Sequence, residues 1–408
     1  MPEKGPVPGM PLTTKTMKSV LIIEAQIKRY RKPFYDRLHD ALRKEGIQLK
    51  VVYSPPTPLE ARKNDNCELP SEYGVNVPGY WIARGRLLLQ PAFREIAAAD
   101  LVVIEQANKF ILNHLLLPLS LFKLKKIAFW GLGENLQADR SALSEWYKER
   151  TLDWVHGWFA YTEGTAVYLQ QHGVPLSKIT AVQNSIDTRR TQACVRNLRA
   201  EEKTALRCSF GISAGAPIGI YVGMLHQVKC IPFLIQAGEQ IRRSIPEFHL
   251  LVVGGGPDED EIRRSAAHLP WVRFVGPKFG DAKARLLAIA DVFLLPGRAG
   301  LAVLDAFAAG LPLVATKLPI HGPEMEYALE GFNGLITPPD AVSYAEAIAA
   351  LLSNPRALQI LREGAALSAE KYSIEAMVEK FEQGIVQYLA VPKWQWGQIK
   401  WRREQSTP

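Results

Sequence analysis

The sequence is poor in anything that could hold a metal or a redox centre. Its cysteines number four (Cys67, Cys194, Cys208 and Cys230), with no paired spacing, and its eight histidines are dispersed. Such cysteines read as reduced thiols in a reducing compartment, not as zinc ligands or disulfides. The one Asp-x-Asp, Asp258-Glu259-Asp260, follows Pro257 in what reads as a helix's first turn, where the dipole favours carboxylates anyway. No metal site is expected.

Long hydrophobic runs are also missing. The longest, Ile111 to Phe122, is broken by Asn113, His114 and Pro118 and is too short to span a bilayer. It reads as a core helix or, with Lys123, Lys125 and Lys126 behind it, as an interfacial one. The N-terminus, MPEKGPVPGMPLTTK, lacks the apolar core of a signal peptide, so residues 1–17 are expected to form a disordered leader. No internal repeat and no nucleic-acid-binding pattern is present, and nucleic acid is not an expected partner. Acidic excess is absent from the first half: residues 1–200 hold 28 Lys+Arg against 19 Asp+Glu, a difference of +9. Residues 201–408 hold 21 against 22, a difference of −1. The basic half is either a solvated face or meets something anionic, such as a membrane surface or a lipid phosphate.

What the sequence does contain is alternation. Short apolar runs (Val20–Ala25, Leu49–Tyr53, Leu101–Ile104, Ile127–Trp130, Trp158–Tyr161) are separated by amphipathic stretches such as Phe34–Lys44 and Ser141–Val155. A second set follows: Ile218–Val222, Leu250–Val253, Val272–Val275, Val292–Leu295 and Leu313–Ala315. Fully apolar strands alternating with helices imply parallel sheets covered on both faces, one doubly wound α/β domain per half. The expected division is an N-terminal Rossmann-like domain over 18–190 and a C-terminal one over 198–390. The polar stretch Asn184–Asn197 lies between them, and a basic, Trp-containing tail spans 391–408. Ligands of such sheets bind at the carboxyl ends of the strands, so a cleft between the domains is the expected site.

The most informative stretch is Pro296 to Glu324, PGRAGLAVLDAFAAGLPLVATKLPIHGPE. A strand, a glycine turn, a small-residue helix ending at Gly310 and a second strand make a ready anion site. Asp305, one turn into the helix, can accept hydrogen bonds from a sugar diol. Phosphate beside a diol suggests a nucleotide. Other strand-end loops are compatible: Gly223 leads to Met224-Leu225-His226-Gln227-Val228-Lys229, where Lys229 is either solvated or a partner for a diphosphate. Gly254-Gly255-Gly256-Pro257 permits close ligand approach or a tight turn, and Gly276-Pro277-Lys278 can offer backbone groups to a base.

In order and spacing these blocks resemble the family-4 retaining glycosyltransferases of the GT-B fold, most clearly over Ile179 to Tyr388. The resemblance rests on VQNSID, YVGMLHQVKCIPFLIQA, VVGGGP, VRFVGP, the stretch above and GFNGLITPPD. In the first half, IKRYRKPFYDRL, FWGLGENLQ, FAYTEG and GVPLSKIT are similar to a bacterial branch that builds surface polysaccharides. The resemblance implies two Rossmann-like domains facing across a cleft and a nucleotide-diphosphate sugar as substrate, with no cofactor. It implies a glycan or lipid-linked acceptor and a cytoplasmic location, with peripheral contact at the inner face of the plasma membrane open.

The resemblance makes Lys229 the diphosphate ligand, with Gly300, Leu301 and Ala302 facing phosphate and Asp305 the ribose. It makes Glu324 a ligand; read from its own surroundings, Glu324 is equally a helix N-terminal carboxylate. Gly223, His226, Gly276 and Arg298 complete the expected donor side. Three departures matter. Gly297 stands where a sugar-reading glutamate is expected; Met224 replaces an arginine, with Arg298 and His226 the candidates to compensate; and Leu132 replaces a histidine that could assist proton transfer. The acceptor side is expected at Gly131, Gly133 and the loop Gln26–Lys32, where Lys28, Arg29 and Arg31 suit an anionic or diphosphate-bearing acceptor, although a solvated loop has the same composition. Chemistry would rest on cation and dipole stabilisation of the leaving diphosphate by Lys229 and the Gly300 segment. Loss of the expected glutamate and histidine leaves a non-catalytic binding protein as a second class, and a sugar-phosphate synthase as a third.

Overall fold

A computed structural model describes residues 17–61, 65–134 and 142–391. The expected leader, apart from Met17, and the basic tail, apart from Val391, lie outside the described residues. The apolar runs form two parallel sheets. In the first half the strands are β1 (Lys18–Ile23), β2 (Ile47–Tyr53), β3 (Gly74–Asn76), a hairpin of β4 (Tyr80–Ile82) and β5 (Leu87–Leu89), β6 (Leu101–Glu105), β7 (Lys126–Gly131), β8 (Gly157–Ala160) and β9 (Ile179–Ala181). Leaving out the antiparallel hairpin, they order as β3-β2-β1-β6-β7-β8-β9. The second sheet comprises β10 (Ile218–Val222), β11 (His249–Val253), β12 (Val272–Phe274), β13 (Val292–Leu295), β14 (Leu313–Thr316) and β15 (Gly334–Thr337), ordered β12-β11-β10-β13-β14-β15.

In both sheets the order in which strands are added reverses beside the first strand, all pairings staying parallel. Val20 pairs with Leu49 on one side and Leu101 on the other; Ile220 pairs with Leu251 and Phe293. Each reversal opens a crevice at the carboxyl ends of the strands. Strands such as β13 are apolar throughout because helices bury both faces: Val292, Phe293, Leu294 and Leu295 are all at or below 1% exposure.

One expected boundary is corrected. The helix Ile374–Ala390, assigned by position to the C-terminal domain, packs on the first domain instead. Phe381 stacks on Phe159 at 4.1 Å and meets Phe34 and Trp130 edge-on at 5.0 and 4.8 Å. The Tyr388 hydroxyl donates to the carbonyl of Trp158 at 2.9 Å, and Lys126 Nζ donates to that of Leu389 at 2.7 Å. The chain thus crosses between the domains twice, after β9 and again after the helix Pro355–Lys371. The polar 184–197 stretch is not all linker: its helix Arg189–Asn197 lies against the second-domain helix Gly280–Leu287, with Arg190 paired to Asp281 at 2.5 Å.

The Ile111–Leu121 helix packs one face on the core. Leu112, Leu116 and Leu117 enter the core, while Leu115, Leu119 and the following Phe122 are exposed. Among the described residues no helix is long and apolar enough to cross a membrane.

Candidate active site

The loops after β10 and β13 are tied together through their backbones. Arg298 N–H donates to the Val228 carbonyl at 2.8 Å, and Lys229 Nζ donates to the Arg298 carbonyl at 2.6 Å. His226 opens the turn that carries Lys229, its Nδ1 accepting from Val228 N–H at 3.3 Å. Burial lowers the Lys229 pKa, as does the charge of Arg298, while Glu324 opposes both. This ammonium therefore gains from any anion that reaches it.

The same tie explains the missing glutamate. A Cβ placed on Gly297 would lie 2.5 Å from both Lys229 Cα and the Val228 oxygen. Backbone occupies the space where the family's side chain would start, so position 297 must be glycine in this arrangement. By contrast a Cβ at Gly300 would meet nothing within 4 Å. Gly300, Leu301 and Ala302 lead into the short helix Ala302–Ala308, with open space above the turn.

Other expected donor groups are placed differently from a bare diol-and-phosphate site. Asp305 is 8% exposed and accepts from Lys283 Nζ at 2.6 Å, so its carboxylate has a protein partner. The glycine triplet serves packing: a Cβ at Gly254 or Gly256 would collide with the carbonyl oxygens of Gly223 and Leu225. Gly223 directly follows β10, and the Gly276 carbonyl accepts from Gly254 N–H at 3.1 Å, joining the β11 and β12 loops.

Glu324 links the domains. It is 5% exposed in the 3-10 turn Pro323–Tyr327, and its Oε1 accepts from Asn184 Nδ2 at 2.6 Å. Asn184 Oδ1 in turn accepts from Arg31 Nη1 at 2.9 Å. Burial pushes the Glu324 carboxyl upward, opposed by the hydrogen bonds it accepts. Its neighbour Glu326 reaches the first domain too, accepting from Thr162 Oγ1 and Gly164 N–H, each at 2.8 Å. Between the domains a cavity of about 730 Å3 is bounded by Leu132, Glu134 and Thr165 on one wall and by Lys317, His321 and Met325 on the other.

The basic loop does not present free cations. Lys28 is held by Glu60 and Asp65, both at 2.9 Å, and Lys32 by Asp36 at 2.8 Å. Arg29 Nε donates to the Asn66 carbonyl at 3.3 Å. Arg31 is 8% exposed, its guanidinium 4.9 Å from the centre of the Trp130 ring. Of the loop's four cations, Lys28 and Lys32 are thus paired with carboxylates, while Arg29 and Arg31 donate to a neutral carbonyl and a neutral amide. Gly131 ends β7, and Gly133 lies against Tyr168 and Leu169.

Three residues had not been singled out from sequence. His321 bridges the β13 and β14 loops as a neutral ring, Nδ1 accepting from Ala299 N–H at 3.0 Å and Nε2 facing the Thr316 carbonyl at 2.6 Å. Burial lowers its pKa, consistent with a staple, not an acid. Glu24 and Glu105 sit at the ends of β1 and β6. The available signal was a carboxylate inside the apolar Val20–Ala25 run.

Two Rossmann-like parallel sheets facing across a cleft define the GT-B class, and solved structures share it. The chain superposes on Anabaena Alr3699/HepE in complex with UDP and glucose with a TM-score of 0.63 at 15% identity, covering 90% of this chain and 99% of that one. Sucrose-phosphate synthase from Thermosynechococcus elongatus gives 0.67 at 17% identity, covering 92% and 100%. Residues 216–354 match the family model described as Glycosyl transferases group 1. Curated relatives include the sulfoquinovosyl transferase SQD2 of Arabidopsis thaliana, 29% identical over 40% of this chain and 32% of that protein. Another is D-inositol 3-phosphate glycosyltransferase 2 of Catenulispora acidiphila, 26% identical over 63% and 61%. The chain therefore spans less than two thirds of the length of either curated relative.

Proposed function

We propose that this chain is a metal-independent, retaining glycosyltransferase that moves a sugar from a nucleotide-diphosphate donor to a glycan or lipid-linked acceptor in cell-surface polysaccharide synthesis, working at the cytoplasmic face of the membrane. The observation that carries the reading is Lys229 beside Arg298 at the carboxyl ends of β10 and β13, next to the open turn at Gly300. In this reading the diphosphate supplies the counter-charge that burial denies Lys229, and the two cations stabilise the departing phosphate. The group 1 match over the second domain and the UDP in the HepE complex support such a donor. Glu324 then holds the acceptor-side domain in register through Asn184, instead of serving as an isolated helix-start carboxylate.

The experiment is incubation of the purified chain with UDP-, GDP- and ADP-sugars plus membrane-extracted acceptor, following nucleotide release and the anomeric configuration of the product by NMR. Release with retained configuration supports the reading. The closed space at Gly297 favours one competitor, a nucleotide-sugar-binding protein without transfer, and binding with no turnover across the panel would establish it.

A further inference from the structure

The first domain has its own crevice, at the carboxyl ends of β1, β6, β7 and β8, and it is separate from the large cavity between the domains. It encloses about 220 Å3, and its lining combines Glu24, Gln26, Glu105, Trp130 and Tyr161 with Tyr30 and two cations, Lys28 and Arg31. That is below the ~300 Å3 lower end of drug-sized pockets, room for one small ring.

Two buried polar atoms here have no partner. Trp130 is 4% exposed, and its Nε1–H makes no hydrogen bond. The indole cannot turn to find one, because Arg31, Phe34 and Phe381 pack on it at 4.9, 5.5 and 4.8 Å. Gln26 donates from Nε2 to Glu60 at 3.1 Å, which fixes the amide and leaves Oε1 buried and unpartnered. Unsatisfied groups of this kind are costly and are rare in native structures unless something fills the site. Beside them Glu24 is held by the Tyr35 hydroxyl at 2.6 Å. Of the cations that line it, Lys28 is paired with Glu60 and Asp65, whereas Arg31 donates to the neutral Asn184 amide and its charge acts on Glu24. The crevice therefore offers oxygens that accept and one N–H that donates, in a field where the carboxylates Glu24, Glu60, Asp65 and Glu105 outnumber the cations Lys28, Arg31 and Lys109.

We propose that this crevice is a subsite for an uncharged, hydroxyl-rich sugar ring, which gives hydrogen bonds to Glu24 and Gln26 and takes one from Trp130. It excludes a phosphate or carboxylate at the same place. The inference rests on the reading that the acceptor enters from the first domain, and it reverses the anionic acceptor expected from the basic loop. Arg31 is the physical link, since it packs on Trp130 and reaches Glu324 through Asn184.

The test is saturation-transfer NMR and calorimetry on the full chain without nucleotide. The probes are the methyl glycosides of glucose, galactose, mannose and N-acetylglucosamine against glucose 6-phosphate and methyl glucuronide. At least one neutral glycoside is expected to bind, with the anionic sugars about tenfold weaker or worse. Trp130→Phe, which keeps the ring and removes the N–H, should weaken the neutral ligand about fivefold. Glu24→Gln, which keeps the shape and removes the charge, should narrow the gap to the anionic sugars. Silence across the neutral panel, anionic sugars binding as tightly, or indifference to both variants would overturn the proposal. Glycoside binding that responds to the variants in a chain that never releases nucleotide keeps this subsite and sinks the transferase reading; the reverse pattern does the opposite.

Discussion

The two strand-end crevices of this molecule are built from different materials. In the second domain the walls are backbone: Arg298 and Lys229 are tied to neighbouring carbonyls, and Gly297 must be glycine because main chain lies against it. In the first domain the walls are side chains, with Glu24, Gln26 and Trp130 held by packing and by partners from distant segments. A backbone-built site leaves a readable trace, because close approach demands glycine at fixed positions. A side-chain-built site leaves little, because each group is positioned by something far away in sequence.

The largest expected effect tests which domain owns the last described helix. Phe381→Ala should cost about 3–5 kcal/mol, as for other buried aromatics. Hydrogen exchange should rise in β7 and β8 of the first sheet. Faster exchange confined to the second sheet would show that the helix has been placed on the wrong domain.

Gly297→Glu sharpens the contrast from the donor side. Installing the family's glutamate should destabilise the chain by about 3 kcal/mol or more and weaken nucleotide binding, since the Lys229 turn must move. A variant that unfolds like wild type and gains transfer activity would refute the packing explanation.

Glu24→Gln probes the acceptor side through pH. Burial and the nearby Glu105 push the Glu24 carboxyl from 4.5 up to about 7, against the opposing Tyr35 hydrogen bond and the charges of Arg31 and Lys109. Between those values the fold binds more protons than the unfolded chain, so wild-type stability falls as pH rises through that window. Glutamine removes the loss. The variant should match wild type near pH 4 and exceed it by on the order of 2–3 kcal/mol near pH 8 in urea unfolding. Equal stability at both pH values would mean that Glu24 is not held this way.

Much of the fold was legible in the sequence. The buried strands are apolar runs bounded by turn residues, so β10 and β13 fall on the expected residues and β1, β2, β6, β7, β8, β11, β12 and β14 within two residues of them. The strands that escaped, β3, β4, β5 and β9, are three residues each, too short for any periodicity, and β15 sits inside a glycine-rich block. The Ile374–Ala390 helix shows an apolar face but nothing that names its partner. The interdomain chain from Arg31 to Asn184 to Glu324 joins residues 153 and 140 positions apart, which no local pattern encodes. The pairing of Lys28 in the basic loop was hidden for the same reason: its counter-charges Glu60 and Asp65 are 32 and 37 residues away.

The central claim is that the Lys229 turn holds a nucleotide diphosphate. Calorimetric titration of UDP, GDP and ADP into wild type and Lys229→Ala tests it most directly. The account predicts that wild type binds at least one of the three and that the variant binds it about tenfold more weakly or worse, the loss of one charge-assisted contact. Equal affinity in the two proteins, or no binding to wild type, would contradict it.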